Sequence, residues 1–286
     1  MNFPLLVFTD LDGSLLDHHS YSFKGAEEAL VRLHQFAIPL VLTSSKTRAE
    51  IQKLQKLLGL DQAFIAENGG GFYLPAGNPM YHLTELQQAG EYRCKLLGVP
   101  YGYIREIFIK FRDRYALKGF GDMRIEEIMQ ATGLRREDAI LAAQRDFSEP
   151  FLFLKKSCPQ ELREEVAPHG LTITRGGRFY HLMSSGQDKG QAVLELIRLY
   201  QAACQERLIT VGLGDAENDL VMLRVVDIPV LIPKPDGSFA SMNIQRLRHA
   251  SFPGSSGWGA AVMEILSELE QEYNDKERST SSPMTP

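Results

Sequence analysis

Two aspartates, Asp10 and Asp12, follow the apolar run Leu5-Leu6-Val7-Phe8-Thr9 and stand just before Gly13-Ser14. In an extended chain residues i and i+2 project to one side, so both carboxylates share one small space. Close carboxylates repel at neutral pH, and such a pair is comfortable only with a shared proton or a cation. Three further polar sets stand in comparable places: Ser44 with Lys46 after the apolar run Ile38 to Thr43, Lys189 where a helical pattern opens, and Asp215, Asn218 and Asp219 after Leu208 to Val211.

The elements that must position these sets alternate. Residues 5 to 9 read as a strand buried on both faces, because the run is continuously apolar and bounded by turn chemistry. A helix is expected over 23 to 36, a second strand over 38 to 43, and then a helix opened by Thr47 with Glu50 three residues on, the pattern of a capping box, closed at Gly59. A short strand over 63 to 66 runs into Glu67-Asn68-Gly69-Gly70-Gly71, a glycine run suited to a tight turn. Strand and helix in alternation favour a parallel sheet, and ligand groups gather beyond the carboxyl ends of such strands, so the four sets are expected to converge.

From about residue 84 the rhythm changes. Tyr101 to Tyr115 has helical spacing, with Ile104, Ile107, Phe108 and Phe111 on one face, and further helices are expected over 124 to 132 and 135 to 144. Strand-like runs stand at 151 to 154, 171 to 174 and 178 to 183, the last two joined by Gly176-Gly177, a hairpin signal. The α/β rhythm resumes after Gly186 with a helix over 189 to 203, strands over 208 to 211 and 228 to 232, and a closing helix over 258 to 273. The expected division is a core of residues 1–83 and 186–272, an inserted α+β unit of residues 84–185, and a tail of residues 273–286 rich in Ser, Thr and Pro that reads as disordered.

Composition narrows the function classes. A net charge of −5 argues against a broad nucleic-acid footprint. The three cysteines, Cys94, Cys158 and Cys204, fit no zinc spacing and are too few to staple a chain of 286 residues, which points to a reducing cytoplasm. No basic segment leads into a long apolar stretch, so neither export nor membrane insertion is expected. An Asp-x-Asp-Gly might open a calcium loop, but that loop wants glycine at its sixth position and glutamate at its twelfth, where Leu15 and Tyr21 stand. Gly212-Leu213-Gly214 lacks the third glycine of a dinucleotide loop, and the aspartates that follow would repel a pyrophosphate.

Taken together the four sets resemble the motifs of the haloacid dehalogenase superfamily of phosphohydrolases. Asp10-Leu11-Asp12-Gly13-Ser14 meets its first motif, with Ser14 where threonine is commoner, Ser44 its second, Lys189 its third, and Gly214-Asp215-Ala216-Glu217-Asn218-Asp219 its fourth. Arg145-Asp146-Phe147-Ser148-Glu149-Pro150-Phe151 and Gly176 to Leu182 are similar to cap segments of the mannosyl-3-phosphoglycerate phosphatases. The resemblance implies a doubly wound, Rossmann-like parallel-sheet core with an inserted α+β cap of the C2B type. It implies Asp10 as nucleophile, Asp12 as general acid and base, Ser44, Lys189 and Asn218 around the phosphate, and Mg²⁺ held by Asp10, Asp12 and Asp215. Arg145, Ser148, Glu149, Arg178 and His181 would meet the sugar and glycerate, with Lys46, Asn68 and Asp219 as additional site residues. The implied substrate is a small phosphorylated sugar-glycerate, mannosyl or glucosyl, dephosphorylated to a compatible solute. Alternatives are a phosphatase of another sugar phosphate, such as sucrose-phosphate or a hexose phosphate, and a sugar-phosphate-binding protein without turnover. Arg145 and Glu149, close together near a helix end, could instead form a local ion pair.

Overall fold

The computed structural model describes residues 4–78, 86–155, 159–176 and 178–280. In chain order it contains β1 (Leu5–Thr9), α1 (Glu27–Gln35), β2 (Leu40–Thr43), α2 (Arg48–Leu58), β3 (Phe64–Ala66), β4 (Gly71–Pro75), β5 (Gln87–Ala89), β6 (Tyr92–Leu96), α3 (Tyr101–Arg112), β7 (Leu117–Gly119), α4 (Ile125–Thr132) and α5 (Arg136–Ala142). There follow β8 (Ser148–Phe153), α6 (Pro159–Val166), β9 (Leu171–Gly176), β10 (Phe179–Ser184), α7 (Lys189–Ala203), β11 (Ile209–Gly214), α8 (Leu220–Leu223), β12 (Ile228–Leu231), β13 (Arg248–His249) and α9 (Gly254–Thr280). The chain forms two compact units, one of Met1–Leu40, Arg207–Glu217 and Val226–Pro286, the other of Val41–Glu206 and Asn218–Val225.

In the first unit the strands run β13-β12-β11-β1, all parallel. Leu5, Leu6, Val7 and Phe8 are buried, as a strand covered on both faces requires. Helix α9 closes this unit: Trp258 is fully buried and its indole Nε1 donates to Thr9 Oγ1 at 2.8 Å. The Asp17 carboxylate accepts from the backbone N–H and hydroxyl of Ser255, satisfying groups at the start of α9 that have no partner within the helix. The helix also runs further than the apolar pattern indicates. It continues to Thr280, so residues 274 to 280, expected in the disordered tail, are helical, while 281–286 lie outside the described residues. The Ser/Thr/Pro-rich composition that suggests disorder begins only after Asp275-Lys276-Glu277-Arg278, a run containing good helix formers.

In the second unit β2 pairs in parallel with β3, and β3-β4-β6-β5 continue antiparallel. A separate antiparallel sheet runs β7-β8-β10-β9. Ile104, Ile107 and Phe108 of α3, on the face the spacing indicated, pack with Phe151, Leu162 and Leu182 into the core of that sheet. The expected hairpin is present as β9 and β10, paired from Gly176 to Phe179, while Gly177 lies outside the described residues. Helix α2 opens as its sequence says: Thr47 Oγ1 accepts from the Glu50 N–H, the Glu50 carboxylate accepts from the Thr47 N–H, and Gly59 closes the helix at φ +65°. Among the described residues no helix is long and apolar enough to cross a membrane.

Candidate active site

Asp10 and Asp215 sit at the carboxyl ends of two adjacent parallel strands. β1 and β11 pair from Leu5↔Ile209 to Thr9↔Leu213, and the Asp10 N–H continues the ladder to the Leu213 carbonyl at 2.8 Å. Carboxylate oxygens of Asp10 and Asp215 consequently lie within 4.8 Å of each other. The chain then turns back through Gly13, which donates to the Leu16 carbonyl at 2.8 Å and has φ +87°. A Cβ on Gly13 would stand 2.5 Å from Asp215 Oδ2, so glycine is needed both for the backbone conformation and for the approach to the carboxylate. A pocket of about 280 Å³ adjoins Asp215, lined in part by Gly13, His18, His19 and Lys234. Two hard oxygen donors this close, with a cradle kept open by a glycine, fit a divalent cation of the Mg²⁺ type.

Of the remaining expected residues, Asp12 belongs to the first unit and the others to the second. Lys189 is the first residue of α7, whose preceding Asp188 caps it by accepting from the Gln191 N–H at 2.7 Å. Lys189 and Asp219 are both buried, and Nζ donates to Asp219 Oδ1 at 2.6 Å. The close packing of α7 on α8 sets this pair: a Cβ on Gly190 would lie 2.5 Å from the Val221 carbonyl oxygen. Asn218 belongs to the 3₁₀ turn Glu217–Asp219, directly before α8, and is half-buried.

Ser44 is buried just beyond β2. Its N–H donates to the Ile65 carbonyl, its carbonyl accepts from the Asn68 N–H at 2.9 Å, and its Oγ accepts from the Lys46 N–H at 3.2 Å. Ser44, Lys46 and Asn68 therefore form one knot of backbone contacts. The turn after β3 has an unusual conformation: Glu67, Asn68 and Gly69 all have positive φ, at 49°, 56° and 91°. Two consecutive non-glycine residues in the left-handed region are uncommon and persist only where the surroundings over-determine them.

Glu67 supplies that determination, and nothing in the sequence reading pointed to it. Its carboxylate is fully buried and accepts from the Asp146 N–H (2.6 Å), the Phe147 N–H (3.2 Å) and the Ser148 hydroxyl (2.6 Å), with Arg145 Nε at 3.1 Å. Its own N–H donates to the Lys46 carbonyl, and its carbonyl accepts from Gln187 Nε2 at 2.6 Å. Burial pushes the Glu67 carboxyl upward, against the pull of Arg145 and its hydrogen bonds. The partners of the carboxylate stand 78 to 81 residues away in sequence, which is why no local pattern signals the contact.

The same geometry disposes of the local pair between Arg145 and Glu149. Arg145 turns to Glu67, Ser45 and Ser148, whereas Glu149 is fully buried among Tyr101, Arg105 and the Gly121 N–H. The Gly119 and Gly121 positions leave room for that cluster, since a Cβ on Gly119 would overlap Glu149 Oε1. Burial, resisted by Tyr101 and Arg105, pushes the Glu149 carboxyl up. His181 is buried on β10, and desolvation, with Arg145 second, pushes its imidazole down to about 3. Its Nδ1 has no hydrogen-bond partner among the described residues. Arg178 is exposed and donates to the Thr132 carbonyl at 2.8 Å, at the end of α4.

Residues 7–233 match the family model for haloacid dehalogenase-like hydrolases. A protein of Persephonella marina named glucosyl-3-phosphoglycerate/mannosyl-3-phosphoglycerate phosphatase is 43% identical over 93% of this chain and 99% of its own. A protein of Methanococcoides burtonii with the same name is 37% identical over 91% of this chain and 97% of its own. The crystal structure of a Thermoplasma acidophilum protein, 19% identical, superposes with a TM-score of 0.62 over 94% of this chain and 99% of that one, which shows a shared fold. The fold class is α/β, a parallel-sheet core of the haloacid dehalogenase type with a cap, and the chain belongs to the haloacid dehalogenase-like hydrolase family.

Proposed function

We propose that this chain is a Mg²⁺-dependent phosphatase that removes phosphate from mannosyl-3-phosphoglycerate or its glucosyl counterpart, working in the cytoplasm on a small phosphorylated sugar-glycerate. The observation that carries the reading is the identity of 43%, across nearly the full length of both chains, to a protein named for that activity. Residues 1–83 and 186–272 form the core in this reading, and residues 84–185 the cap.

Asp10 attacks phosphorus, so that an Asp10 oxygen–phosphorus bond forms as the ester oxygen–phosphorus bond breaks. Asp12 gives a proton to the departing glycerate oxygen and then takes one from the water that attacks the aspartyl-phosphate, releasing phosphate and restoring Asp10. Ser44 and Asn218 donate to phosphoryl oxygens, and Lys189, held by Asp219, offsets their charge. The Asp10 and Asp215 side chains, with the Asp12 backbone carbonyl, would hold Mg²⁺, which when bound would neutralise phosphoryl charge. Arg145, Ser148 and His181 recognise the part of the substrate beyond the phosphate. Arginine suits a carboxylate because its charge strengthens each hydrogen bond that it donates. Arg178, exposed beside α4, is a second candidate for the carboxylate, and Glu149 serves by holding Tyr101 and Arg105.

A substrate panel tests the reading. The purified chain with Mg²⁺ should show its highest kcat/KM for a glycosyl-3-phosphoglycerate, and chelation of the metal should abolish turnover until Mg²⁺ is restored. Faster turnover of sucrose-phosphate or free hexose phosphates would replace the substrate, and no turnover of any phosphate ester would favour a binding protein.

A further inference from the structure

We infer that Glu67 is a positioning residue which fixes Arg145 and Ser148 and thereby sets recognition of the substrate beyond its phosphate. The inference rests on Arg145 and Ser148 meeting substrate, as proposed above. It begins with a ring of buried polar contacts: Arg145 Nη2 donates to Ser148 Oγ at 2.6 Å, Ser148 Oγ donates to Glu67 Oε2 at 2.6 Å, and an ion pair closes it, with Arg145 Nε 3.1 Å from the same carboxylate oxygen but not hydrogen-bonded to it. The Asp146 and Phe147 N–H groups, on the intervening backbone, point at the two oxygens of that carboxylate. Moving the Ser148 hydroxyl away would break its hydrogen bond to Glu67, and moving the Arg145 guanidinium away would break the ion pair and its bonds to Ser148 and Ser45.

Stability alone does not call for such an arrangement, because a buried ion pair is often no better than well-packed apolar residues. What the ring adds is orientation. It directs Nε inward and divides Nη2 between Ser148 Oγ and the Ser45 carbonyl at 3.0 Å, so that among the described residues Nη1 is left to meet a ligand. His181 is buried, lies close enough for the Arg145 charge to act on its imidazole, and has an Nδ1 with no partner among the described residues. A cation and a neutral imidazole within reach of its charge suit a carboxylate with a neighbouring hydroxyl, the chemistry of a glycosylated glycerate. The left-handed pair Glu67-Asn68 follows from the same requirement, since it is the conformation that carries the carboxylate to residues 145–148 while leaving the Asn68 N–H on Ser44.

The test compares substrates that do and do not reach Arg145. In the full chain, Glu67→Gln keeps the side-chain size and removes the charge. For a glycosyl-3-phosphoglycerate its KM should rise at least about tenfold, while kcat/KM for a small aryl phosphate stays within about threefold of the wild type. Equal losses on both substrates, or no change on either, would overturn the inference. Should the wild type prefer another sugar phosphate, the substrate reading fails by itself, and the same comparison is made between that ester and the aryl phosphate. A measurement on the unaltered protein guards against a variant that does not fold: the Asp146 and Phe147 amides should exchange hydrogen slowly without ligand, and fast exchange would contradict a fixed ring.

Discussion

At the scale of the residue, the chemistry rests on a few groups whose positions leave little freedom. Gly13 shows this most clearly, since an added Cβ would meet the Asp215 carboxylate at 2.5 Å in a backbone conformation that disfavours other residues. Gly13→Ala is expected to lower stability by about 1–2 kcal/mol through the left-handed strain and to cut kcat at least about tenfold, as read by urea unfolding and steady-state kinetics. The places of Asp10, Asp215 and Lys189 in the fold were legible in the sequence because each follows an apolar strand or opens a helix. Glu67 was not legible. It stands in a glycine-rich turn that reads as punctuation, and its function lies in contacts to residues 145–148, which only the folded chain supplies.

At the scale of the element, helix starts do much of the positioning. α7 begins on Lys189 and packs so closely on α8 that Gly190 admits no Cβ beside the Val221 carbonyl. Gly190→Ala should push the two helices apart, cost about 1–3 kcal/mol as overpacking does, and loosen the buried Lys189–Asp219 pair, with slower turnover as the readout. The capping box of α2 and the apolar face of α3 could be read directly, because their signals are local and periodic. β4, β5 and β6 could not. β4 follows directly on the glycine run and ends in Pro75, and β5 is Gln87-Gln88-Ala89, an exposed strand with no alternation of apolar and polar residues.

At the scale of the whole molecule, burial of ionisable groups couples the fold to pH. His181 is held near 3 in the folded chain against an ordinary value of 6.5. Above pH 6.5 the imidazole is neutral whether folded or unfolded, and its contribution is fully present. As pH falls toward 3 the unfolded chain takes up a proton that the native chain refuses, and stability is lost at up to about 1.4 kcal/mol per pH unit. His181→Gln should therefore gain on the wild type by about 2 kcal/mol between pH 6.5 and pH 5 in urea unfolding, and a constant difference would contradict the burial of a neutral imidazole. In the proposed mechanism turnover of every phosphate ester depends on covalent attack by Asp10 at the end of β1. The most direct measurement is hydrolysis of a small aryl phosphate by Asp10→Asn at a saturating Mg²⁺ concentration. The expected result is a loss of at least about 10³-fold in kcat with the unfolding midpoint unchanged, and turnover close to that of the wild type would contradict the assignment.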